Sequence, residues 1–150
     1  MHLQDVGPDP QSFNAHEATT ENTNYRTVAW TGKYLQVTLV SIPVGASIGL
    51  EVHPDTDQFL RLEAGHGQAV MGDAKDHLTF QQDVEAGWAI LVPAGRWHDV
   101  RNTGDTPMQV LSVYAPSHHA QGIIQETAEA AEADEASGRD EAPSWTVQPK

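Results

Sequence analysis

The residues of this chain with metal-binding or catalytic chemistry fall into two spaced stretches. The first runs Gly45-x5-Glu51-x-His53-x4-Gln58-x6-Gly65 and the second Gly87-x5-Pro93-x-Gly95-x2-His98-x3-Asn102. Glu51 and His53 lie two apart in a β-type run, so both project from one face of it. A turn at Pro54–Asp57 is expected to return the chain as an antiparallel neighbour that begins at Gln58, with Leu60 and Leu62 on its face. The turn Pro93-Ala94-Gly95 sends His98 into the next strand. Two imidazoles, a carboxylate and an amide oxygen can thus converge on one divalent ion. Two His and one carboxylate make the donor set that holds non-haem Fe(II) with open positions, and the same donors accept Mn, Co, Ni or Zn. Gln58 either binds the metal directly or hydrogen-bonds a metal-bound water or substrate. With Glu51 used as a ligand, the sequence assigns no separate catalytic acid or base.

The elements that must position these groups read as short strands between turns. Expected strands are 25–30, 35–42, 48–53, 58–64, 68–71, 78–81, 88–92, 98–101 and 108–114, punctuated by Pro, Gly and Asp. Many short strands at close spacing indicate an all-β sandwich or barrel. Leu60, Leu62, Ile90, Val92 and Val100 form its expected lining. Residues 1–20 read as a polar lead-in. Gly122–Ala136, rich in Ala and Glu, reads as a marginal helix pinned by Ile123 and Ile124, followed by a disordered end from Ser137.

The remaining candidates are weaker. His66 and His77 fall in turns and should be solvated, and His2 and His16 lie in the lead-in. His118 and His119 are adjacent on an irregular segment, which favours a loop packed on the barrel over a second metal site. Alternation from His98 turns Trp97 away from the metal, and Arg96 belongs to the rim. Tyr25, Arg26 and Trp30 belong either to the mouth or to a dimer contact.

Both stretches resemble the two motifs of the cupin superfamily, G-x5-H-x-H-x3–4-E-x6-G and G-x5-P-x-G-x2-H-x3-N. The second is matched at every specified position, from Gly87 to Asn102. The first is matched at Gly45, His53 and Gly65, with Glu51 where the family has its first His and Gln58 where it has its Glu. The resemblance, also to the small single-domain bacterial group called mannose-6-phosphate-isomerase-like, implies an all-β jelly-roll barrel over residues 21–118, and composition leaves 119–150 as an acidic helix and disordered tail. The resemblance implies a metal site of Glu51, His53, Gln58 and His98, and a homodimer. It also implies an enzyme, dioxygenase-type or an isomerase or lyase, acting on a small molecule. The alternative is a non-catalytic sensor or carrier on the same barrel.

Composition narrows the classes further. The absence of cysteine excludes disulfides, thiolate metal sites and a Cys nucleophile. A net charge of −13, of which 121–150 holds −5, disfavours nucleic acid and anionic lipid as partners. The longest apolar run, Trp88 to Ala94, is too short to span a bilayer, and Met1–Pro10 has no signal-peptide pattern, so a cytoplasmic location is expected.

Overall fold

The computed structural model describes residues 3–150. Among the described residues nine strands run β1 (Arg26–Thr31), β2 (Gln36–Ile42), β3 (Asp57–Ala64), β4 (His66–Gly72), β5 (Phe80–Glu85), β6 (Ala89–Val92), β7 (Trp97–Asn102), β8 (Met108–Ala115) and β9 (Ile124–Gln125). They form two antiparallel sheets, ordered β6-β3-β8-β2-β1-β9 and β5-β4-β7. Period-two alternation builds the core between them: along β3, Gln58, Leu60 and Leu62 are buried while Asp57, Phe59 and Arg61 are exposed. Leu60 and Leu62 pack with Val40, Ile42, Ile90, Val100, Met108 and Val110. Burying each such side chain contributes about 1.5–3 kcal/mol. His66 and His77 are exposed, as expected.

The expected strand over 48–53 is absent as a continuous element. This segment instead bonds the free side of β7 through isolated bridges Ser47–Arg101 and Glu51–His98. Glu51 N–H donates to the His98 carbonyl at 3.0 Å and His98 N–H returns to Glu51 at 2.9 Å. Gly49, at φ 93°, holds a conformation closed to most side chains and interrupts the run. The expected hairpin from His53 into Gln58 is therefore replaced by a crossover: Glu51 bridges to the small sheet, the His53 carbonyl accepts from Gly95 N–H, and Gln58 enters the large sheet.

Both ends depart from expectation. The lead-in contains helix α1 (Ala15–Glu21), capped by Asn14, whose side chain accepts from Glu17 N–H at 2.8 Å. Leu3, Phe13 and Ala18 cover the large sheet at Ala29 and Leu39, too widely spaced in sequence to show a period. Buried Gln109 on β8 donates to the carbonyls of Thr19 and Asn22 and so ties down the helix end. Asp5 accepts from Thr31 N–H and Oγ1 and from Gly122 N–H.

At the other end, Ile123 and Ile124 belong to the edge of the large sheet and not to a helix, as suits β-branched residues. Helix α2 is only Ala128–Ala136, capped by Thr127. After it, the expected disorder from Ser137 is replaced by fixed contacts. Asp140 accepts from His119 Nδ1 and Ala120 N–H, Val147 N–H donates to Lys33, and Gln148 donates to the Ser117 carbonyl. These bonds are polar and long-range, which low hydrophobicity alone does not reveal. Among the described residues, no helix is long and apolar enough to cross a membrane.

Candidate metal centre

The Pro93–Gly95 turn, with Gly95 at φ 83°, feeds β7 so that His98 points inward at 1% exposure. Its Nδ1 lies 3.1 Å from the Arg96 carbonyl. A carbonyl only accepts, so Nδ1 carries the proton and Nε2 presents a lone pair. Across the β7 pairing, Glu51 and His53 project to the same place. Glu51 Oε1 is 3.3 Å from His53 Nε2 and 3.8 Å from His98 Nε2, and the imidazole centroids are 5.4 Å apart. One ligand atom from each of the three residues lies within 4.8 Å of the others.

The donors are poised for a cation. His98 Nε2 and Gln58 Oε1 are buried with no hydrogen-bond partner, and buried His53 Nε2 has only the Glu51 carboxylate beside it, at 3.3 Å. Gln58 reaches the same end of the barrel from the large sheet, where its Nε2 donates to Ser112 Oγ at 2.8 Å. That bond fixes the amide and leaves the oxygen unpaired. Desolvated lone pairs without partners cost about 1–3 kcal/mol each, and ligation removes that cost. The residues therefore fit a divalent metal held by Glu51, His53 and His98.

Electrostatics agree with this reading. Burial opposes ionisation of Glu51, but His53, then His98 and Arg26, outweigh it and hold the carboxyl below its usual range. Burial lowers the His98 pKa despite the Arg96 carbonyl and Glu51, so the ring stays neutral as a ligand must.

Two further imidazoles, expected only as loop packing, stand in the mouth. The His118 ring is 4.6 Å from that of His53 and stacks on Tyr114 at 5.4 Å with 13° between planes. Buried Gln36 places this loop: its Oε1 accepts from the backbone N–H groups of His118 and His119, and its Nε2 donates to the His119 carbonyl. Burial pushes His118 down to about 4 and lowers His119 even though Asp140 accepts its Nδ1–H at 2.8 Å. Burial also raises the Tyr114 phenol to about 12, so it stays protonated.

The site opens to an outside cavity of about 570 Å³, walled by Tyr25, Arg26, Leu50, Tyr114, His118 and the α2 residue Glu132 among others. Tyr25 and Arg26 thus line the mouth, with the Tyr25 hydroxyl donating to the Ile48 carbonyl. Trp30 lies elsewhere, donating to the Asp9 carbonyl. The hint of His118 available in the sequence was its place just beyond Pro116, at the end of the strand that pairs with Gln58.

Comparison with known proteins agrees with the geometry. The Cupin domain family model matches residues 38–114. The YrkC protein of Bacillus subtilis is 53% identical over 125 residues, covering 83% of this chain and 67% of that protein. A crystal structure of a Bacillus halodurans protein superposes with TM-score 0.86 at 50% identity, covering 87% of this chain and 99% of that one. Oxalate decarboxylase OxdC of Bacillus subtilis, studied for its Mn(II) centres, superposes with TM-score 0.53 at 27% identity, over 59% of this chain and 23% of that one.

Proposed function

This chain belongs to the cupin family, and from that premise we propose that it is a metal-dependent enzyme acting on a small organic molecule bound in the barrel mouth. The observation that carries the reading is the set of buried donors His53 Nε2, His98 Nε2 and Gln58 Oε1 gathered around the Glu51 carboxylate. Glu51, His53 and His98 would hold the ion. Bound there, a divalent metal supplies Lewis acidity and open positions for substrate or dioxygen. The protein's own residues orient the ligands and shape access: Arg96 fixes the His98 tautomer, Ser112 fixes Gln58, and His118 and Tyr114 wall the entrance.

Our first reading is oxygen-dependent chemistry, because two His and one carboxylate leave positions free on one side of the ion. The likeness to oxalate decarboxylase favours a second, lyase-type reading without net oxidation. Turnover of small hydroxy- and oxo-acids with and without oxygen separates them. Loss of turnover without oxygen supports the first reading, and unchanged turnover rejects it. A metal-loaded protein that binds these acids and turns none over is a carrier or sensor.

Gln58 is proposed as the fourth ligand. Gln58→Leu is expected to weaken metal binding by about tenfold, whereas Gln58→Glu, which adds a charged oxygen, is expected to hold the ion at least as well as wild type. Competition titration with a chromogenic chelator measures both. Equal affinity for wild type and Gln58→Leu would remove Gln58 from the ligand set.

The homodimer is proposed to form at the β6 edge. There Leu91, 66% exposed, stands across from Phe59, which stands across from Val113, an apolar row beside an unpaired backbone edge. A second copy covers both features at once. Leu91→Glu is expected to convert a dimer to a monomer in light scattering, and a wild-type monomer contradicts the proposal.

A further inference from the structure

We propose that Arg26 is the anion receptor of this site and that the substrate is a small monocarboxylate, its carboxylate held by the guanidinium beside the metal. The proposal rests on the metal-site reading above and names the class of molecule the site takes.

Arg26 opens β1, opposite Val40 on one side and Gln125 on the other, and its side chain runs into the mouth. Nη1 donates to Gln125 Oε1 at 2.7 Å, and the guanidinium carbon sits 5.3 Å from the Tyr25 ring centroid. These contacts fix the fork without neutralising it. Nε is buried and has no hydrogen-bond partner, and among the described residues no carboxylate forms an ion pair with Arg26. A desolvated cation with an unused donor is costly, and a bound anion is the direct remedy. Arginine presents its N–H donors in a plane that matches a carboxylate.

The receptor lies next to the metal donors. Arg26, Glu51 and His53 together line the mouth cavity of about 570 Å³, so a ligand held there by Arg26 adjoins the coordination site. The surrounding charges set the ligand's own charge. Asp140 is engaged by His119 and Ala120, and Glu51 by the histidines. With a dication bound, the interior is positive. Glu132 and Glu135, by contrast, are exposed on the outer wall and repel ligands that carry several negative charges.

The test is calorimetric titration of lactate and of its neutral counterpart lactamide into Mn(II)-loaded and metal-free protein, with bound Mn(II) counted separately. Wild type is expected to bind lactate about tenfold or more tightly than lactamide, in either form. Arg26→Gln should lose that preference while keeping its Mn(II), and Arg26→Lys, which keeps the charge but not the fork, should lose it in part. Should Arg26→Gln not fold, Arg26→Lys carries the comparison. Equal binding of lactate and lactamide to wild type, no binding of either, or an undiminished preference in both variants overturns the proposal. Failure of wild type to take up Mn(II) rejects Mn(II) as the ion of this site and leaves Arg26 untouched, because the metal-free titration decides its role.

Discussion

His98→Ala is expected to lower affinity for Mn(II) or Co(II) by about 100-fold or more, beyond the 10–100-fold typical of losing an outer-shell partner. His98 supplies a fully desolvated Nε2 whose direction is set by the Arg96 carbonyl. His53→Ala should act similarly, because its Nε2 is the other buried imidazole donor. Glu51→Gln keeps the shape but removes the charge that offsets the cation, and falls between wild type and the alanine variants. Titration against a competing chelator gives all three affinities. Wild-type affinity in His98→Ala contradicts the site. Folding should survive each change, since the barrel core lies below the mouth at Leu60, Leu62 and Val100.

The second large effect concerns metal-free protein, which is expected to lose stability as pH falls from about 6.5 to about 4. Burial, aided by the neighbouring His119 and His53 rings, pushes His118 down to about 4. The unfolded chain takes up a proton near the ordinary imidazole value of 6.5, while the fold resists it until about pH 4. Protons therefore favour the unfolded state across that window, and stability is complete only above it. For His118 alone the loss reaches about 3 kcal/mol at most, or about 6–12 °C in Tm for a chain of this size. His119 and His98, lowered by burial, act in the same direction. Asp140 does not confuse the result. Burial opposes its ionisation, but His119 and the Ala120 N–H hold it down to about 2, so its contribution fades only below the ordinary carboxylate range. Thermal melts with a chelator present, at pH 7, 5 and 4, check this. His118→Gln should flatten the dependence, and an identical slope in wild type and variant would contradict it.

The residues that proved legible were those whose neighbours in sequence determine their direction. Glu51 and His53 share a face by period two, and His98 follows a turn whose Pro and Gly are themselves diagnostic. Leu60 and Leu62 follow the same alternation. What was not legible depended on strand order. Glu51 bonds β7, nearly fifty residues away, and His53 bonds the turn before it, not the strand that follows them. Arg26 reaches the mouth only because β1 lies inside the large sheet, between β2 and β9. His118 and His119 are placed by Gln36, a glutamine indistinguishable in sequence from a surface one. The acidic end hid its order in the same way, since Asp140 works through one histidine and one backbone amide.

Elemental analysis of protein purified without added metal, alongside the His53→Ala/His98→Ala double variant, shows whether Glu51, His53 and His98 hold an ion. About one equivalent of a divalent transition metal per wild-type chain is expected, and less than about a tenth of that in the variant. A wild-type protein that stays empty even after separate incubation with Fe(II), Mn(II), Co(II), Ni(II) and Zn(II), or a double variant that retains its metal, would contradict this site.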